Sequence, residues 1–156
     1  MPPGLMDVLS AGQQQLQNKG VEAARLESEM LLSHILGCQR HELYLTGNKA
    51  LDPEQIRAYE AMLQRRLKGE PIQYIIGFRD FMGLKFNVDK RVLIPRWETE
   101  LLVEYIISRV KGFAGPLHIL DLGTGSGAIA VSLAAYLPQA VVTAVDIKND
   151  ALQVAE

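Results

Sequence analysis

The 156-residue chain lacks several features that mark whole classes of protein. It has one cysteine, Cys38, so no internal disulfide can form, which fits a cytosolic protein. It has no run of about 18 apolar residues, and residues 1–4 carry no basic stretch followed by an apolar core. The sequence therefore predicts neither a membrane span nor a secretory signal, and we expect a cytoplasmic protein without a membrane partner.

An excess of charge of one sign is also missing. There are 16 Lys and Arg residues against 18 Asp and Glu residues, for a net charge of −2, so nothing marks the chain as a general binder of polyanions. Its three histidines, His34, His41 and His118, lack the spacing of metal ligands. We therefore expect no direct nucleic-acid partner and no metal.

The first part of the chain has helical periodicity and helix-ending residues. Asp52 and Pro53 are typical of a helix start, and Gly69 with Pro71 is typical of a helix end. Three earlier segments also show helical spacing of apolar residues: Leu5–Leu16, Val21–Leu36 and Gln39–Leu45. The pattern predicts a small helical domain over residues 1–73.

The pattern then changes to that of strands. We predict a β-hairpin whose strands lie at Tyr74–Phe78 and Leu84–Val88, on either side of Met82 and Gly83. This hairpin forms a linker over residues 74–92. A further helix through Leu102, Ile106 and Val110 would open a last domain, over residues 93–156.

The run Asp121-Leu122-Gly123-Thr124-Gly125-Ser126-Gly127 lies between an apolar strand, Leu117–Leu120, and a helix, Ala128–Leu137. A strand, a glycine-rich turn and a helix in this order present backbone N–H groups to a small ligand at a helix N-terminus. A second apolar strand, Val141–Val145, is followed by Asp146, which lies 19 residues after Gly127 (146 − 127). That spacing is typical of a carboxylate that binds ribose hydroxyls.

Two ligands fit this motif. Gly123-x-Gly125-x-x-Ala128 satisfies the dinucleotide fingerprint, but a carboxylate at Asp121 would disfavour a pyrophosphate beside the turn. S-adenosylmethionine carries an ammonium group and a sulfonium and no phosphate, so the pattern favours it. A structural turn without a ligand is the third interpretation.

The α/β segment contains only two parallel-type strands. Sheets usually hold about five or six strands, and two strands with three helices would leave apolar sheet surface exposed. We therefore expect the chain to be the front part of a longer protein, with an α/β fold that is incomplete here.

Motifs along nearly the whole chain resemble the release factor glutamine methyltransferases, also called the HemK family. The Ile-Pro-Arg-x-Glu-Thr-Glu block behind a Phe-x-Gly hairpin is the most specific of them. The family usually has Pro where this chain has Trp97, and its Asn-Pro-Pro-Tyr motif would lie beyond Glu156. The matching segments are Arg25–Leu32, Arg65–Gly77, Phe81–Val88, Val92–Arg96, Glu98–Glu100 and Asp121–Gly127.

The resemblance implies a Rossmann-like methyltransferase domain behind the helical domain and the hairpin. We expect the helical domain to dock the protein substrate. It implies methyl transfer from S-adenosylmethionine to the glutamine of the Gly-Gly-Gln loop in class I peptide chain release factors. The expected cofactor residues are Gly123, Thr124, Gly125, Ser126, Gly127, Asp121, Asp146, Arg96 and Thr99. The missing motif would hold the substrate amide, so no catalytic residue is assigned here and this chain alone is expected to be inactive.

Other interpretations stay open at this point. Arg96 could simply pair with Glu100, and Thr99 could be a local helix cap. An adenine-N6 nucleic-acid methyltransferase would share the glycine turn, although it would be expected to carry a basic face. A truncated module that only binds a partner is the third possibility.

Overall fold

A computed structural model describes residues 3–45, 47–113 and 115–156. The chain divides into two compact units, of which the first runs to Ile76 and the second begins at Gly77. Compactness does not test independent folding, so the domain bounds 1–73, 74–92 and 93–156 stay a prediction.

The first unit is helical, as predicted. Its helices are α1 (Leu5–Asn18), α2 (Ala24–Leu36), α3 (Glu42–Leu45), α4 (Pro53–Leu67) and α5 (Ile72–Ile76). Helix α4 begins where Asp52 and Pro53 predict it, and the Asp52 N–H donates to the Gln55 side chain at 3.0 Å. The helices enclose an apolar core, whose most buried members include Leu16, Leu31, Leu32 and Leu43.

The strand predicted at Tyr74–Phe78 was wrong in its first part, because residues 72–76 form α5. Ile72, Ile75 and Ile76 are buried, and their spacing places them on one face of a helix that packs on α2 and α4. Tertiary burial therefore overrides the strand preference of β-branched residues. The chain leaves the helix at Gly77, where φ is +84°.

The second unit combines the hairpin with an α/β segment. The hairpin strands are β1 (Phe78–Phe81) and β2 (Leu84–Asn87), paired antiparallel. Helix α6 (Trp97–Val110) precedes β3 (Leu117–Leu122), which is followed by α7 (Ala128–Tyr136), β4 (Ala140–Val145) and α8 (Asn149–Ala155). Strands β3 and β4 are parallel, in a register that runs from Leu117 opposite Ala140 to Leu122 opposite Val145. This is the predicted start of a Rossmann-like fold.

One face of the β3–β4 sheet is covered and the other is bare. Leu117, Ile119 and Val142 pack against a core that includes Val103 and Leu133. On the opposite face, Leu120 and Leu122 are 58% and 73% exposed, and Val141 and Val145 are 58% and 40% exposed. The structure thus shows the exposed apolar sheet surface expected from two strands.

Side chains from two helices hold the hairpin turn. Met82 adopts a φ of +51°, which is uncommon for a residue other than glycine. The Met82 N–H donates to the Glu100 carboxylate of α6 at 2.7 Å, and the Met82 carbonyl accepts the Tyr136 hydroxyl of α7 at 2.6 Å. Both polar groups of this backbone unit are therefore satisfied by helices of the sheet-covering layer.

No helix among the described residues is both long and apolar enough to cross a bilayer.

Candidate functional site

The glycine-rich turn joins the end of β3 to the start of α7. Gly123, Gly125 and Gly127 all have positive φ, at +79°, +57° and +78°. A Cβ added at Gly123 or Gly125 would meet no atom within 4 Å, so the outer side of the turn faces open space. The turn therefore requires glycine for its conformation and leaves its backbone accessible to a ligand.

The two polar side chains of the turn are buried. Thr124 and Ser126 are 8% and 5% exposed. The Thr124 hydroxyl donates to the Asp121 carboxylate at 2.8 Å, which ties the turn to the end of β3. Thr124 and Ser126 thus face inward, and Gly123 and Gly125 form the accessible part of the turn, whereas Gly127 is buried.

The turn is also tied to the end of β4. The N–H groups of Gly123 and Thr124 both donate to the Val145 carbonyl, at 2.8 and 3.0 Å. The Gly125 N–H donates to Asp146 Oδ2 at 2.9 Å, and the Lys148 N–H donates to Asp146 Oδ1 at 2.9 Å. The N–H groups of Lys148 and then Gly125 hold the pKa of the Asp146 carboxyl below its ordinary value.

Two carboxylates therefore flank an open turn at the carboxyl ends of neighbouring parallel strands. This is where open α/β sheets bind small ligands. The N-terminus of α7 adds a partial positive charge at the turn. The two acids suit a ligand with a cationic group and hydroxyls, and the Asp121 charge is unfavourable for a pyrophosphate.

Arg96 and Thr99 lie at the start of α6. Arg96 is the N-cap residue and is exposed, and Thr99 lies in the first turn. Within the described residues Arg96 forms no ion pair with Glu100, whose carboxylate accepts the Met82 N–H instead. No side chain caps α6. The two local roles considered above are thus not seen, and a position beside the cofactor stays a prediction. Trp97 is 61% exposed.

The sequence did not predict how the turn is fastened. The Val145 carbonyl and the Asp146 carboxylate both accept N–H groups of the turn. The available signal was that carboxyl ends of adjacent parallel strands lie at the same edge of a sheet.

Comparison with known proteins places both parts of the chain. Residues 7–77 match the PrmC N-terminal domain, and residues 98–156 match the methyltransferase small domain. A release factor glutamine methyltransferase of Chlorobaculum tepidum is 48% identical over 141 residues, which are 88% of this chain and 48% of that protein. The corresponding protein of Geobacter sulfurreducens is 47% identical over 90% of this chain and 49% of its own length.

Over most of its length the chain is thus similar to release factor glutamine methyltransferases. It also matches a bifunctional methyltransferase of Rickettsia prowazekii, at 38% identity over all of this chain and 33% of that protein. The chain spans about half the length, 48% and 49%, of the glutamine methyltransferases named above. The resemblance read from the Ile-Pro-Arg block and the glycine turn is thereby confirmed.

Proposed function

We propose that the protein to which this chain belongs methylates the glutamine of the Gly-Gly-Gln loop in class I peptide chain release factors, using S-adenosylmethionine. The observation that carries the proposal is the open glycine turn between Asp121 and Asp146. Similarity to release factor glutamine methyltransferases supplies the reaction class.

Each residue of the site has a proposed role. The accessible backbone at Gly123 and Gly125 would hold the methionyl part of the cofactor. Asp121 would attract its ammonium group, and Asp146 would accept its ribose hydroxyls. Thr124, Ser126 and Gly127 shape the turn, and Arg96 and Thr99 would lie beside the cofactor.

The reaction needs more than cofactor binding. When bound, the cofactor supplies a methyl group on a sulfonium. An amide nitrogen is a poor nucleophile because its lone pair is delocalised, so the protein must hold it in line with that methyl and stabilise the developing charge. We assign no residue of this chain to that task; the chain's own residues bind and orient the cofactor.

The proposal is tested with the protein as its gene encodes it. Calorimetry should show binding of S-adenosylmethionine and none of NAD. Labelled S-adenosylmethionine should then place its methyl group on glutamine in a class I release factor. Methylation of adenine in nucleic acid instead, or binding of NAD alone, would contradict the proposal.

A comparison of the two acids tests their roles. Asp146→Ala should weaken S-adenosylmethionine binding more than Asp121→Asn does, because it removes two charge-assisted hydrogen bonds to ribose. Each such bond contributes roughly 1.5–3 kcal/mol, so the loss should exceed about tenfold in Kd. Asp150→Asn, at an exposed acid of α8, is the matched control. An unchanged Kd in Asp146→Ala would contradict the ribose assignment.

A further inference from the structure

We propose that Asp146 is also a positioning residue for the glycine-rich turn, which it holds through the Gly125 N–H whether or not a ligand is bound. The inference about the turn stands on geometry alone, and only its consequence for affinity rests on the proposed function.

The geometry of the Asp146 carboxylate is that of a bridge. Oδ2 accepts the Gly125 N–H and Oδ1 accepts the Lys148 N–H, both at 2.9 Å. Gly125 and Asp146 are 21 residues apart, so the carboxylate joins the turn after β3 to the loop between β4 and α8. Hydrogen bonds to a charged acceptor are shorter and stronger than those between neutral groups.

The turn needs such a bridge at this point. Gly125 has no side chain to pack, and the space where a Cβ would lie is empty. The N–H groups of Gly123 and Thr124 are fixed by the Val145 carbonyl, and that of Gly127 by the Thr124 carbonyl. Gly125 lies between these anchors, and its N–H is fixed by Asp146.

The bridge is compatible with ribose binding by the same group. An ionised carboxylate has about four lone-pair sites, and the two N–H groups occupy two of them. The remaining sites can accept hydroxyls. Asp146 would then raise the affinity for the cofactor in two ways: it would contact the ribose, and it would hold the turn in its binding conformation before the cofactor binds.

Amide hydrogen exchange in the unliganded protein tests the bridge directly. In Asp146→Ala the Gly125 amide should exchange at least about tenfold faster, the smallest change expected for loss of one hydrogen bond to a charged acceptor. The amide of Val103, in the buried core, should not change, and Asp150→Asn should leave both amides unchanged. An unaltered Gly125 rate in a folded Asp146→Ala protein would overturn the proposal.

A titration of the unsubstituted protein keeps the test independent of the variant's folding. As the pH is lowered, the chemical shift of the Gly125 amide proton should follow the same titration curve as that of the Asp146 carboxyl carbon. The pKa that this curve gives should lie below the ordinary aspartate value of 3.8. A Gly125 resonance that does not follow the Asp146 curve would overturn the bridge.

Ligand binding then separates positioning from ribose contact. S-adenosylhomocysteine and its 2′,3′-dideoxy analogue are titrated into the unsubstituted protein, Asp146→Ala and Asp150→Asn. If Asp146 positions the turn, Asp146→Ala should still weaken binding of the dideoxy analogue severalfold. If Asp146 acts through the ribose alone, the affinity for that analogue should not change. If neither compound binds the unsubstituted protein, the proposed cofactor fails, while the exchange and titration results still decide the bridge.

Discussion

At the scale of single residues, the Tyr59 side chain explains why residue 12 is a glycine. Gly12 lies in the interior of α1, where glycine is less favourable than alanine by about 1 kcal/mol. A Cβ there would overlap with the hydroxyl of Tyr59, which is 2% exposed. That hydroxyl lies 2.7 Å from the Ser28 hydroxyl, which donates to the Leu9 carbonyl at 3.0 Å. Close packing around a buried polar network therefore explains the glycine.

We predict that Gly12→Ala destabilises the protein despite the better helix propensity of alanine. Overpacking of this kind costs about 1–3 kcal/mol in the free energy of unfolding, measured by urea denaturation. Tyr59→Phe removes the hydroxyl oxygen, the atom nearest to the added Cβ, so Gly12→Ala should cost less in the Tyr59→Phe background than in the unsubstituted protein. Equal losses in the two backgrounds would show that Tyr59 is not the cause.

At the scale of elements, the hairpin turn depends on α6 and α7. The Met82 backbone is held by Glu100 and Tyr136, and its φ of +51° is a conformation that side chains disfavour. The observed Glu100 contact joins residues 18 positions apart. Local sequence patterns do not encode a contact at this separation, so the sequence suggested only a local partner for Glu100, namely Arg96.

We predict that Glu100→Ala lowers the free energy of unfolding by about 1–2 kcal/mol, because it leaves the Met82 N–H without its charged acceptor. Glu100→Gln keeps an acceptor oxygen and should lose less. Glu98→Ala, at an exposed acid in the same turn, is the control and should change stability little. The stability of each variant is measured by thermal unfolding. Equal stability losses in Glu98→Ala and Glu100→Ala would point to helix-dipole effects instead of the turn contact.

The same scale shows which elements the sequence could predict. Helix α4 has its start encoded by Asp52 and Pro53, and β3 and β4 are mostly apolar, so local patterns were sufficient. The segment Tyr74–Phe78 is predicted as a strand, because the sequence alone does not show which surface Ile75 and Ile76 will cover. In the structure, these residues lie in α5, which packs on α2 and α4. The glycine turn was predicted by motif, whereas its anchoring to Val145 and Asp146 depends on the parallel register.

At the scale of the whole molecule, the bare face of the β3–β4 sheet limits what this chain can do alone. Four apolar side chains of that face are at least 40% exposed, and the face has no covering layer among the described residues.

We predict that the isolated 156-residue chain does not methylate a release factor. Labelled S-adenosylmethionine and a class I release factor provide the assay, with a full-length relative as the positive control. Incorporation on glutamine near the relative's rate would contradict the prediction.

We predict that the helical domain over residues 1–73 docks the protein substrate. Within its described residues it has none of the positive-φ glycine clustering seen at 123–127. Selecting one glutamine among all cellular glutamines requires contacts away from the reacting amide, because a small side chain offers little discrimination. The competing interpretation is that the unit only covers apolar surface of the α/β part.

Deletion of the helical unit from the protein as encoded separates these two interpretations. If the unit docks the substrate, S-adenosylmethionine affinity should stay nearly intact and release-factor methylation should fall mainly through a higher KM. If the unit is a structural cover, Tm and cofactor affinity should fall together, since exposed apolar surface destabilises the domain that binds the cofactor. Calorimetry, thermal unfolding and steady-state kinetics on one preparation make this distinction, and joint loss of Tm and cofactor binding would count against docking.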